Sequence, residues 1–205
     1  MASYKKNARK YSARFYKYFL SYVFILVLVL TILGIVVYRN FILTMQDEVK
    51  KSNLFSVMQV RNIMDMRLKE MERIALNISF NNNLKYYKIR GDHYESLEAV
   101  RELKKYKSSN EFIYDIALYY NYDENDRIYT TNTSARLDVF FNYIYKYDNW
   151  NKTDFLDIID SINMPTMYEI RPVILNNSQR RELATYIYPL AVETVRPYTV
   201  VVFFV

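Results

Sequence analysis

Few residues in this chain are equipped for catalysis. Its 205 residues include no cysteine, one histidine, His93, and two glycines, Gly34 and Gly91. Two isolated glycines cannot form a phosphate-cradling loop of the Walker or dinucleotide type, which excludes nucleotide chemistry of those kinds. With no cysteine and a single histidine, neither a Cys/His zinc site nor a paired-histidine metalloprotease helix can be assembled. A serine triad would have only His93 to use. In the run Gly91-Asp92-His93-Tyr94-Glu95 that residue reads as exposed at a helix start rather than as a pH sensor. Asp157 and Asp160 have the chemistry of a glycosidase acid and base, but at i and i+3 they share one helix face and read as solvated. No catalytic centre, metal site or cofactor is expected.

Recognition chemistry is better represented. The chain holds 22 tyrosines, and residues 111–122 alternate aromatic or branched residues with others in the two-residue period of a strand. One face carries Phe112, Tyr114, Ile116, Leu118 and Tyr120; the other carries Ile113, Asp115, Ala117, Tyr119 and Asn121, and is the polar one. A turn over Tyr122 to Asp126 and a strand over Arg127 to Thr131 complete a hairpin.

The elements that position this hairpin begin at a membrane. Residues 19–38, FLSYVFILVLVLTILGIVVY, carry no charge, and at about 1.5 Å per residue they cross a hydrocarbon core of roughly 30 Å. A cleavable signal peptide would have a shorter apolar run ending in small residues, whereas this one exits through Tyr38, Arg39 and Asn40, so an uncleaved anchor is favoured. Residues 1–18 carry six basic residues and no acid, equal to the chain's whole net charge of +6, so the remainder sums to zero. A basic segment directly before a first span places the amino terminus in the cytoplasm and the rest outside the cell. The aromatic and basic mixture of that tail also suits nucleic acid, but next to a span lipid headgroups explain it, and no nucleic-acid contact is expected. The absence of cysteine suits a bacterial ectodomain better than a small disulfide-dependent secreted one.

Residues 39–80 read as a stalk helix, without proline or glycine beyond Asp47. Val57, Met64, Met71 and Ile78 form one seven-residue row, and Leu54, Arg61, Leu68 and Ala75 a second. Packing on its own domain and a parallel homodimer seam explain these rows equally well. Asn81, Asn82 and Asn83 break the helix, and a second follows over His93 to Lys107. Short helices are expected over Leu137 to Tyr147 and Lys152 to Ile162, the latter capped by Asn151 or Thr153. Strands over Leu183 to Leu190 and Tyr198 to Val205, joined through a loop with Pro197, end the chain. The order is that of an α+β domain with an antiparallel sheet, over residues 81–205. Because the last strand is apolar to its final residue, the natural domain is expected to continue past it.

The stretches MDMRLKEMERIALNIS (64–79), FIYDIALYYNYDENDRIYTTN (112–132) and LATYIYPLAVETVRPYTVVVFFV (183–205), behind a basic tail and one span, resemble the sensor half of membrane-bound bacterial AraC-type transcriptional regulators. Similar ectodomains occur in membrane histidine kinases. The resemblance implies an extracellular double-Cache region, PAS-like sheets on a long helix, that binds a small solute and signals through the helix to a cytoplasmic output. No residue here matches the DNA-binding or kinase output, nor the amino-acid-binding signature of some Cache domains. In a PAS-like lobe the polar strand face lines the pocket, with Asp115 as a charge partner, Tyr119 and Tyr129 as walls, and Trp150 as a lid. Competing functions are a structural or adhesive anchored protein and a degenerate hydrolase.

Overall fold

The computed structural model describes residues 2–89, 93–121, 123, 125–176, 178–190 and 199–205, with side chains from Tyr16 onward except that of His93. The expected exposure of His93, part of the expected turn over Tyr122 to Asp126 and the loop containing Pro197 lie outside the described residues. Two compact units are present, Met1–Ile63 and Met64–Val205.

The first unit is helical. Helix α1 runs Ala2–Phe80 with no proline to interrupt it. From Tyr16 it is long and apolar enough to cross a membrane, and no residue of its most apolar stretch is buried. Leu54, Val57 and Met64, on the two rows of the stalk, are likewise exposed.

The second unit is α+β. Its strands are β1 (Asp115–Tyr120), β2 (Arg127–Thr130), β3 (Ser134–Arg136), β4 (Tyr145–Tyr147), β5 (Thr166–Leu175), β6 (Arg180–Leu190) and β7 (Thr199–Phe204). They form one sheet in the order β3-β2-β1-β7-β6-β5-β4, antiparallel throughout. Every residue of β1 and of β7 is buried, which explains their apolar, branched and aromatic composition: both faces of the sheet centre are covered.

Helices cover one face. The rows that reached Leu54 and Val57 exposed end in Met71, Ala75 and Ile78, all at most 2% exposed. Here the stalk packs on its own domain. These residues meet Ile116, Leu118 and Tyr120 of β1, with Leu103 of helix α3 (His93–Ser108) in the same cluster. At about 1.5–3 kcal/mol for each large apolar side chain buried, this face is a main source of stability. Between α1 and α3 the chain makes a 3-10 turn, Asn82–Leu84, and one helical turn, α2 (Tyr86–Ile89). Asn81 starts the 3-10 turn by accepting the Asn83 N–H at 2.9 Å, so the three asparagines are a stop signal with a hydrogen-bonding mechanism.

The other face carries Ala117, Tyr119, Ile128, Val202 and Phe204, covered by Phe140, Phe141, Trp150 and Phe155. The expected helix from Leu137 to Tyr147 is shorter. Helix α4 (Leu137–Val139) passes into a π-helical turn, Phe140–Ile144, and then Tyr145–Tyr147 becomes β4. Pairing with β5 decides this, because Tyr145 faces Leu175 and Tyr147 faces Val173, so that both tyrosines are buried while Lys146 is not. Helix α5 (Lys152–Ser161) is capped by Asn151, which accepts from Thr153 N–H at 2.7 Å and Asp154 N–H at 3.1 Å while Asp154 returns a bond to the Asn151 N–H. This is a capping box. Strand β5 was not expected, since its mixed polar sequence and Pro172 obscure the alternation; the register with β6 shifts between Tyr168 and Arg171.

Candidate functional site

Asp115 opens β1 and is 1% exposed. Oδ1 accepts from the backbone N–H of Ile116 at 2.8 Å and of Thr131 at 3.1 Å, and from the Thr131 hydroxyl at 2.6 Å. Oδ2 accepts from the Tyr145 hydroxyl at 2.7 Å and, at a long 3.5 Å, from the Asn132 amide. These donors come from β1, from the turn between β2 and β3, and from β4. The carboxylate thus ties together three segments distant in sequence. All its donors are neutral, and among the described residues no lysine or arginine forms an ion pair with it.

Asp115 and Tyr145 lie on the wall of a cavity of about 290 Å³, together with Tyr114, Thr130, Asn132, Thr133, Ile144, Leu175 and Asn176. This is the lower end of the size range of small-molecule sites. Tyr145 is held by Phe140, stacked at 4.8 Å between ring centroids and 18° between planes, and by Phe204, also at 4.8 Å. Burial, and then the adjacent Asp115 carboxylate, push its hydroxyl far above the ordinary tyrosine value, so it remains a donor to Asp115 across physiological pH.

Of the four residues singled out in the sequence, only Asp115 lines this cavity. Tyr119 shares its sheet face but sits four residues along the strand, about 13 Å away. Its hydroxyl donates to Asp126 Oδ1 at 3.0 Å, where Asp126 also pairs with the Lys152 ammonium. Tyr129 is on the opposite face. It pairs with Leu118, and residues directly opposite on antiparallel strands point the same way, so it joins the cluster against α1 and α3.

Trp150 does not line this cavity. It is 5% exposed, packed edge-on against Phe141, Tyr147 and Phe155 at centroid distances of 5.6, 5.1 and 5.9 Å, with the Arg171 guanidinium 5.5 Å from its ring centre. A large aromatic side chain gains more from such burial than from covering an opening. No protein-family model matches the chain, and no curated protein sequence matches it. The assignment of the site therefore stands on its geometry.

Thr131, Asn132 and Tyr145 are the residues the sequence reading missed. The run Thr130-Thr131-Asn132-Thr133-Ser134 marks a polar turn, and its hydroxyl and amide groups are the signal that could have found them. Among the described residues no three His, Asp or Glu side chains converge as metal ligands would. The arrangement joins three segments and leaves the carboxylate at the cavity wall.

Proposed function

We propose that this chain is the membrane-anchored, extracytoplasmic sensor segment of a bacterial transmembrane regulator of the AraC type, with a Cache-like lobe that receives a small solute in the cavity beside Asp115. One observation carries the reading: a carboxylate buried at a cavity wall, hydrogen-bonded by neutral groups and lacking a cationic partner among the described residues. Burial of a negative charge favours a positive complement. A solute with a primary ammonium group supplies it, with hydroxyl and amide groups of Thr130, Asn132, Thr133 and Asn176 available for its other polar atoms.

The anchor and orientation come from the apolar stretch of α1 and the basic residues before it. Signalling further requires that the solute bind one arrangement of α1 more tightly than another, since equal affinity shifts no equilibrium. An uninterrupted helix from Ala2 to Phe80 suits that role, because a flexible linker would absorb the displacement.

A structural role is favoured by a different observation, that the Asp115 oxygens are already well supplied with donors. Thermal-shift screening of the full chain in lipid nanodiscs against primary amines, amino acids, sugars and organic acids separates the two. Sensing predicts a rise in midpoint that grows with concentration for an amine-bearing compound. A cooperative transition unmoved by every class would refute the sensor reading.

A further inference from the structure

A second cavity, about 370 Å³, lies on the opposite face of the sheet from Asp115. Its wall is formed by the ends of the three central strands: Tyr120 pairs with Thr199, and Thr199 with Leu190. Leu118 shares the face with Tyr120, Ile78 reaches in from the last turn of α1, and Leu84 from the 3-10 turn. Ile78, Leu84, Leu118, Tyr120 and Leu190 are each at most 4% exposed, so the cavity reaches into the core.

Two of the side-chain hydroxyls in this wall are committed, while Tyr86, Tyr87 and Thr199 contribute others. The Tyr120 hydroxyl donates to the Leu84 carbonyl, and the Ser79 hydroxyl donates to the Leu76 carbonyl at 2.7 Å. The side chains of Ile78, Leu84, Leu118 and Leu190 and the aromatic rings make the wall predominantly apolar, and such a wall favours an occupant with an apolar body. Lys85, exposed and also in the lining, adds a cationic group.

We infer that this cavity is a ligand site for a small carboxylic acid with an apolar body, a single aromatic ring or a short acyl chain, whose carboxylate meets the Lys85 ammonium. The volume matches a molecule of that size, and apolar walls with one cation complement its two ends. Ile78 and Ser79 belong to α1, so this ligand touches the long helix itself, which the Asp115 cavity does not. The inference is independent of the reading of Asp115.

The test is calorimetric titration of the full chain in nanodiscs with 3-phenylpropionate and with its neutral counterpart 3-phenylpropanol, empty nanodiscs serving as the blank. Saturable binding of both is expected. Lys85→Ala, a surface change that leaves the fold intact, is expected to weaken the acid about tenfold and leave the alcohol unchanged. Ser79→Trp, which fills the cavity, is expected to abolish both. Absence of saturable binding to the unaltered chain would mean that the cavity is filled by the protein itself and would overturn the inference. So would binding that survives Ser79→Trp, or an acid affinity indifferent to Lys85→Ala.

Discussion

Replacing Asp115 by alanine removes the acceptor that the Thr131 N–H, the Thr131 hydroxyl and the Tyr145 hydroxyl share at 3.1, 2.6 and 2.7 Å. Thr131 and Tyr145 are buried, so their donors lose their partner away from bulk solvent. A hydrogen bond to a charged group contributes about 1.5–3 kcal/mol, and three independent ones would total roughly 5–9 kcal/mol. They are not independent, because they converge on one carboxylate, and the adjoining cavity admits water that restores part of the loss. The expected destabilisation is about 3–4 kcal/mol, a large part of a typical domain's roughly 5–15 kcal/mol. Asp115→Asn keeps an oxygen for Thr131 and turns an amide toward Tyr145, whose hydroxyl can rotate to accept, so the cost falls to about 1 kcal/mol. Urea unfolding of the nanodisc-held chain, followed by emission of the single Trp150, reads both values. An alanine variant that loses less than about 1 kcal/mol would refute the proposed role of the carboxylate in joining β1, the β2–β3 turn and β4. The asparagine variant then isolates charge from structure: an amine-bearing solute should bind it at least about tenfold more weakly, and unchanged affinity would show that charge plays no part.

Trp150→Ala should cost about 3–5 kcal/mol as a core truncation; unaltered stability with weakened solute binding would restore its role as a lid. Glu102 is held below the usual carboxylate range chiefly by its hydrogen bond to Lys105, against desolvation and with help from the Asn81 amide. Its contribution is therefore present above the unfolded value of about 4.3 and lost as pH falls through the folded value. Glu102→Gln should flatten stability against pH below about 4.3, and an acid limb parallel to that of the parent would disprove this. Burial is the first cause raising the hydroxyls of Tyr119, Tyr120, Tyr129, Tyr145 and Tyr147, with Tyr129 pushed up to about 12. Their neutral burial stabilises the fold fully below about pH 10 and progressively less as pH rises toward the folded values. Tyrosinate absorbance should rise in two stages, exposed residues first and these only with unfolding; one smooth titration of all tyrosines would contradict it.

The elements legible in the sequence were those whose pattern is local. The apolar run of α1, the stop at Asn81, α3 and the capped α5 announce themselves by periodicity and capping chemistry. Strand β1 and its alternation from Asp115 onward were also readable, and the structure keeps Ala117 and Tyr119 on one side and Ile116, Leu118 and Tyr120 on the other. Ile113 and Tyr114, which precede the strand, fall on the sides opposite to those the alternation assigns them, Ile113 with Ile116 and Tyr114 beside Asp115. What escaped depends on partners far along the chain. β4 exists because β5 receives it, and the face occupied by Tyr129 follows from its register against Leu118, which strand composition does not specify. Asp115 stood out as a lone carboxylate in an apolar strand, but its side-chain donors lie in a turn and in a segment expected to be helical.

The strand order also dictates when this domain can finish folding. β7 is the one strand that joins the β1-β2-β3 meander to the β4-β5-β6 meander, pairing Asp115 with Phe204 on one side and Thr185 with Phe204 on the other. At about 5–20 residues per second, a ribosome takes roughly 4–17 s to progress from Tyr120 to Phe204. Throughout that interval β1 offers an unpaired edge flanked by apolar side chains, a template for pairing with a neighbouring chain. Pausing of synthesis before Thr199 would lengthen the exposure, so the yield of correctly folded protein should depend on translation speed and holdase chaperones even when the finished molecule is stable.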